Sequence, residues 1–275
     1  MELKNIKGYP FGVKIENFSL KDSYFREKPN FFNELLYKNK LLIFKNIKFE
    51  YPEFEIFSRQ FGNLEVAYPV QYQPAGHPYI RIQSNVGKGG LDYGGLYWHT
   101  DGSWQKIPTK ATLLLCIEAP KWGGETSFVD MCCAYKDLPN KVKQRIKKLK
   151  GFYPCKEIHI KEMEELGLQL SEAKEKELQD VFHPLVKVHP VTGEKALYLN
   201  QLWLKRIEGL PEKESKDLLD YLYEFSSQEF RIYAHTWEVG DLLVWDDFTI
   251  MHKGVRPSPE YPKITWRITI QGEKN

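Results

Sequence analysis

The chain has 275 residues, enough for one large domain with a well-buried core, and its 42% hydrophobic and 28% charged residues suit a soluble globular protein. A net charge of +2, with basic residues spread along the chain, gives no electrostatic footprint for nucleic acid or a membrane surface. No apolar run approaches the ~18 residues of a membrane helix. Residues 1–8 are too polar for a secretory leader, so a cytoplasmic protein with reduced thiols at Cys116, Cys132, Cys133 and Cys155 is expected.

In chain order, Asn30 is placed to cap an amphipathic helix over 31–37. Residues 41–44 are all apolar and read as a buried strand, and 52–61 read as a second helix stopped by Gly62. From residue 79 onward, short strand patterns bounded by Gly, Pro, Asn or Asp predominate: 79–83, 112–117, 126–129, 185–188, 196–199, 230–233, 241–245 and 264–271. The 14% aromatic share suits such a sheet-rich chain. Helical patterns at 139–149 and 212–225 interrupt the strands. The first carries the densest basic cluster opposite Val142, Ile146 and Leu149, which marks a solvated helix face. Many short strands with turn signals point to an antiparallel sandwich or barrel. No repeat or linker divides 1–275, so a single domain is expected. Residues 156–180 are highly charged and form a candidate insert or lid near the substrate.

The strongest local signal is Tyr97-Trp98-His99-Thr100-Asp101-Gly102. In extended chain, residues i and i+2 point the same way, so His99 and Asp101 can offer an imidazole and a carboxylate to one pocket. Two histidines and one carboxylate on one face of an octahedron leave three positions open, the arrangement of non-haem iron(II) oxygenases. An H-x-D pair alone is a weak signal, and the best third ligand is His252, downstream of the 241–245 strand. Among the other histidines, His183 and His189 adjoin prolines and suit hydrogen bonding at turns or strand ends.

Several further motifs come in a fixed order. Trp98-His-Thr-Asp101 is followed by Gly123-Gly-Glu-Thr126, then His183-Pro-Leu-Val-Lys-Val-His-Pro190, Thr192-Gly193 and Ala196-Leu-Tyr-Leu-Asn200. Gly240-Asp-Leu-Leu-Val-Trp-Asp246, His252 and Trp266-Arg-Ile-Thr-Ile270 complete the series. Together they resemble the taurine dioxygenase-like (TauD/TfdA) family of Fe(II)/2-oxoglutarate-dependent oxygenases over about residues 40–272. The resemblance implies a mainly β fold with flanking helices, a double-stranded β-helix (jelly roll) of the clavaminate synthase-like kind, with the metal at one mouth of the barrel. It implies Fe(2+) held by His99, Asp101 and His252, with 2-oxoglutarate and O2 as co-substrates. The related halogenases replace the carboxylate by a small residue, so an intact Asp101 implies oxygenation.

The resemblance also assigns the co-substrate. Thr126 matches the family's hydroxyl donor to the distal carboxylate of 2-oxoglutarate. Its basic partner is Lys263 or Arg267; counted from His252, Lys263 stands where the family usually has arginine. Either Lys263 binds as a point charge and Arg267 serves an acidic substrate, or Arg267, whose fork suits a carboxylate better, binds the co-substrate and Lys263 is merely exposed beside Pro262. The taurine enzyme's sulfonate-binding histidine has no counterpart in Val66-Ala67-Tyr68-Pro69-Val70-Gln71-Tyr72, which points away from taurine. Tyr68, Tyr72, Tyr93, Tyr97 and Trp104 are candidates to line the substrate pocket, although packing is the commoner role for any one of them. The expected reaction oxidises an unactivated C–H bond of a small acidic or amino-acid-like molecule, releasing succinate and CO2. Desaturation by the same machinery and an inactive jelly-roll binding protein are the alternatives. No nucleic acid or membrane partner is expected, and a homo-oligomer fits the family.

Overall fold

Strand residues alternate between two hydrophobic layers, and this alternation organises the molecule. The computed structural model describes every residue except 22–27, 29, 88, 92–94, 170–171 and 274–275. The N-terminal part comprises β1 (Glu2–Asn5), β2 (Val13–Glu16), α1 (Phe31–Asn39), β3 (Leu41–Phe44), α2 (Tyr51–Ser58) and β4 (Arg81–Ser84). The middle comprises β5 (Ala111–Glu118), β6 (Thr126–Asp130), α3 (Met131–Asp137), α4 (Asn140–Ile146), β7 (Lys150–Tyr153), α5 (Cys155–Glu165) and α6 (Glu172–Glu177). There follow β8 (Val181–Pro184), β9 (Val186–Val188), β10 (Lys195–Leu197), β11 (Arg206–Ile207) and α7 (Glu212–Ser226). The last strands are β12 (Tyr233–His235), β13 (Leu242–Asp246), β14 (Ile250–Gly254) and β15 (Ile264–Ile270).

A seven-stranded sheet runs β1-β2-β3-β13-β5-β15-β4, and a three-stranded sheet β12-β6-β14 packs against it. On one face of the large sheet, Leu41, Ile43, Leu114, Leu243 and Trp245 meet Phe128 and Ile250 of the small sheet. On the other face, Leu42, Phe44, Leu113, Leu242 and Val244 meet Phe32, Leu36, Phe54 and Phe57 of α1 and α2. Burying each such side chain contributes roughly 1.5–3 kcal/mol. A one-residue slip of β3 would exchange the two sets, so the register is firmly specified. The two sheets form a jelly roll, but among the described residues no continuous hydrogen-bonded ladder closes them into a barrel.

Several expected elements shift. Asn30 occupies the first cap position of α1 but makes no side-chain cap hydrogen bond. The helix expected at 139–149 ends at Ile146, because β7 must begin at Lys150 to pair with β8. The strand expected at 230–233 begins only at Tyr233, where pairing with Phe128 of β6 starts; a 3-10 turn over Glu229–Arg231 precedes it. The charged stretch 156–180 contains α5 and α6, and α5 buries Cys155, Ile158, His159 and Met163. No helix among the described residues is long and apolar enough to cross a membrane.

Candidate metal centre and active site

The backbones of His99 and His252 meet outside the regular ladders. His99 N–H donates to the His252 carbonyl at 2.9 Å and His252 N–H to the His99 carbonyl at 2.8 Å, a closed antiparallel bridge. Their rings lie 4.1 Å apart between centroids. Asp101, two positions beyond His99, returns to the same face. One donor atom from each of His99, Asp101 and His252 lies within 4.8 Å of the others. His99 Nε2 is 3.8 Å from Asp101 Oδ1, and His252 Nε2 is 3.5 Å from Asp101 Oδ2.

Each side chain is prepared for ligation. His99 Nδ1 lies 2.8 Å from the Tyr97 carbonyl, which only accepts, so Nδ1 carries the proton and Nε2 keeps its lone pair. His252 packs beside Trp245 and Phe128, at 4.8 and 6.1 Å between ring centroids, and its buried Nδ1 has no hydrogen-bond partner. Burial pushes both imidazoles below their ordinary pKa, which keeps them in the neutral form a metal binds. Gly95, at φ +74°, lies against the His99 ring; a Cβ there would come within 2.6 Å of Cε1 and 3.0 Å of Nε2.

Burial opposes the charge on Asp101, yet Arg267, then His252 and His99, hold its carboxyl well below the usual range. Arg267 Nη2 lies 2.8 Å from Asp101 Oδ1. Thr112 Oγ1 of β5 lies 2.8 Å from Asp101 Oδ2 and 2.7 Å from Asp247 Oδ2. Asp247 Oδ1 accepts from Asp101 N–H at 3.2 Å and from Trp245 Nε1–H at 3.0 Å. Burial, then neighbouring Asp101, pushes the Asp247 carboxyl well above its ordinary range. The orientation of the Asp101 carboxylate is thus set from β5 and β15, while the turn after β13 holds its backbone amide. Two neutral imidazoles and one carboxylate converging on one point fit a divalent iron with open positions.

A second corner holds the other expected groups. Thr126 opens β6, and its Oγ1 accepts from Trp237 Nε1–H at 3.1 Å. Lys263 is only 2% exposed, which corrects the reading of an exposed lysine beside Pro262. Its Nζ donates to the Gly124 carbonyl at 2.7 Å and lies 4.7 Å from the centroid of the Trp237 ring. The aliphatic stem can bury along apolar surface while the ammonium keeps polar company. Burial pushes Lys263 down to about 8. The fork of Arg267 is turned to Asp101 instead of this corner.

Of the candidate pocket aromatics, Tyr97 lies tilted against the His99 ring at 5.1 Å between centroids, and burial, followed by Glu162 and Asp101, pushes its phenol up. Tyr68 is half-buried and its carbonyl accepts from Arg81 Nη1 at 3.1 Å. Trp104 packs against His159 at 4.3 Å and Trp203 at 5.8 Å, beside α5. Tyr93 lies outside the described residues. His183 and His189 serve structure: His183 Nε2 bonds the Gln105 carbonyl at 2.9 Å, and His189 Nδ1 accepts from the Val191 and Thr192 amides. Gly95, Thr112, Asp247, Arg81 and Glu162 escaped the sequence reading. Asp247 adjoins the Trp245-Asp246 motif and was within reach; Arg81 matters only through its partner across the strands.

The comparisons with known proteins fit this geometry. Residues 2–269 match the model of the taurine catabolism dioxygenase TauD, TfdA family. The chain is 30% identical to the alpha-ketoglutarate-dependent 2,4-dichlorophenoxyacetate dioxygenase of Burkholderia sp. (strain RASC), over 78% of this chain and 76% of the relative. It is 31% identical to the (S)-phenoxypropionate/alpha-ketoglutarate-dioxygenase of Sphingobium herbicidovorans, over 79% of this chain and 77% of the relative. A taurine dioxygenase from Burkholderia xenovorans shares the fold, with a TM-score of 0.81 at 23% identity over 99% of this chain and 89% of that one. Fold and relatives define the class, a 2-oxoglutarate-dependent dioxygenase, for which the family implies iron with 2-oxoglutarate and O2 as co-substrates. The chain belongs to the TauD, TfdA family.

Proposed function

We propose that His99, Asp101 and His252 hold iron(II), that Lys263 and Thr126 receive the distal carboxylate of 2-oxoglutarate, and that Arg267 faces a small acidic substrate whose C–H bond is oxidised. The observation that carries this reading is the convergence of His99 Nε2 and His252 Nε2 on the Asp101 carboxylate, at 3.8 and 3.5 Å. Iron(II) held there supplies the activation of O2 that couples decarboxylation of 2-oxoglutarate to oxidation of the substrate. One oxygen atom enters succinate, the 1-carboxylate leaves as CO2, and the other oxygen enters the C–H bond.

The chain's own residues do the positioning. The Tyr97 carbonyl holds the Nδ1 proton of His99 and leaves Nε2 free. Thr112 and Arg267 orient the Asp101 carboxylate, and Asp247 holds its backbone amide. Trp245 and Phe128 keep water from His252. Lys263, anchored by the Gly124 carbonyl and next to the Trp237 ring that also bonds Thr126, offers an ammonium to a carboxylate. With Arg267 committed to the Asp101 side, this corner supports Lys263 over Arg267 as the co-substrate anchor. The phenoxyacetate and phenoxypropionate named for the two relatives are acids, which supports an acidic substrate here. Helix α5, carrying Glu162 near Tyr97 and Arg81, covers the substrate side as a lid. Four free cysteines support a reducing compartment such as the cytoplasm.

The test is anaerobic spectroscopy. Iron(II) plus 2-oxoglutarate should give the visible charge-transfer band of the chelate in the wild type and none in Asp101→Ala. A folded wild type that shows no band rules out the assignment. Product analysis then separates hydroxylation from desaturation.

A further inference from the structure

Arg81 on β4 stands directly opposite Arg267 on β15 in the antiparallel register. Like charges in directly opposite positions destabilise a sheet unless something negative lies between them. Arg267 has that partner in Asp101, at 2.8 Å. Arg81 does not. Its Nη1 donates to the Tyr68 carbonyl at 3.1 Å, its Nε is buried without a hydrogen-bond partner, and among the described residues no carboxylate forms an ion pair with it. A buried guanidinium is normally paired, because it stays charged and its desolvation is costly. Arg231 is the internal control: its Nε is also unbonded, but Nη1 pairs with Asp137 at 2.7 Å and the guanidinium lies 4.7 Å from the Phe230 ring centroid.

The charges around Arg81 place it within the candidate active site. Asp101, Glu162 of α5 and Tyr97 all act electrostatically on it, and Arg267 opposes it. Counting formal charges, iron(II), Asp101, the 2-oxoglutarate dianion and Lys263 sum to zero. Arg267 and Arg81 then remain; Glu65 and Asp247 act on Arg267 and Glu162 on Arg81, but only Arg267 has a carboxylate in direct contact.

We propose that Arg81 is a second anchor for the oxidised substrate: the acidic group of that substrate sits between the guanidiniums of Arg81 and Arg267, with Glu162 as the competing negative charge. This rests on the metal and co-substrate assignment above and deepens it. The ligand chemistry is an oxyanion with at least two free oxygens, a carboxylate, sulfonate or sulfate, because two planar forks arriving from adjacent strands each need an acceptor. The body of the substrate would then extend toward Tyr97 and α5, and neutral analogues of the acid would be rejected.

The test is calorimetry on protein loaded with Mn(II) and N-oxalylglycine, the unreactive isostere of 2-oxoglutarate, so that the co-substrate corner is already filled. Sodium methanesulfonate, sodium sulfate and sodium acetate are titrated at constant ionic strength. The wild type should bind at least one of them. Arg81→Met should bind it about tenfold or more weakly, the loss of one charge-assisted contact. Glu162→Gln, a change on a partly exposed helix position, should bind it severalfold more tightly. N-oxalylglycine affinity should stay the same in both variants, which shows that each is folded and that the corner is intact. Arg81→Met binding as tightly as the wild type, or a wild type that binds none of the anions, overturns the proposal. A wild type that fails to bind Mn(II) with N-oxalylglycine overturns the underlying assignment, and the anion seat with it.

Discussion

Among the described residues, three largely buried histidine–carboxylate clusters can be compared, and one differs from the other two. His235 Nε2 bonds Asp241 at 2.9 Å, its Nδ1 meets the Tyr233 hydroxyl at 3.1 Å, and Asp241 also takes the Glu238 amide and pairs with Lys45. His189 Nε2 lies 3.2 Å from Asp246, which further accepts from the Phe248 amide and the Thr249 hydroxyl. In both, both ring nitrogens are engaged. The His99–Asp101–His252 cluster differs. Its Nε2 atoms stand 3.5 Å or more from the carboxylate; the Tyr97 carbonyl orients the His99 ring, and packing against Trp245 and Phe128 holds His252. Saturation marks a structural cluster; convergence without saturation marks a site for something from outside.

The contrast yields opposite expectations for its two sides, and the largest effect falls on the open cluster. Asp101→Ala should lower 2-oxoglutarate-coupled succinate release by more than about 100-fold, since even groups standing behind metal ligands cost 10–100-fold when removed. Near-normal turnover in that variant would mean that the ligand set is wrong. Asp241→Ala should do the reverse. It leaves His235 without its carboxylate and Lys45 with Glu238 alone, and should cost ~1–3 kcal/mol of stability in urea unfolding. Turnover per folded molecule should hold, and its loss would erase the distinction between the clusters.

The same contrast explains what the sequence disclosed. His99 and Asp101 lie two apart in one extended stretch, and His252 follows a strand pattern, so the open cluster was legible from spacing and motif order. The apolar runs at 41–44 and 241–245 likewise marked strands, but that their residues face two separate layers came from the structure. Lys263 was ambiguous because nothing local states its burial; that comes from Gly124 and Trp237, over 100 and 20 positions away in the chain. Arg81 was invisible for the same reason, its meaning arising from β4–β15 register. Strand β7 carries Gly151 and a lysine, too little apolar pattern to compete with the helix ahead of it, and only pairing with β8 and β11 makes it a strand.

A smaller effect concerns a structural histidine outside these clusters. Burial, then Lys187, pushes His183 from its ordinary 6.5 down to about 4. The fold therefore holds it neutral while the unfolded chain takes up a proton first as pH falls. Its contribution is complete above pH 6.5 and is lost between 6.5 and about 4, to a total of ~3 kcal/mol. His183→Gln should flatten the fall in unfolding free energy between pH 6.5 and 4.5, and an unchanged slope would assign the acid sensitivity to other groups.

The smallest effect separates the two basic residues. If Lys263 receives the distal carboxylate, Lys263→Met should weaken anaerobic 2-oxoglutarate binding to the iron(II) protein about 10–100-fold, the loss of one charge-assisted contact. Arg267→Met should weaken it far less. The pH dependence provides the finer test. With burial holding Lys263 at about 8, affinity should be full below pH 8. Above that it should fall as the proton leaves, up to about tenfold per pH unit. Lys263→Met should remove this alkaline limb while leaving the metal site to titrate as before. If the limb survives in Lys263→Met and disappears in Arg267→Gln, the anchor is the arginine after all, and the carboxylate lies on the Asp101 side of the pocket.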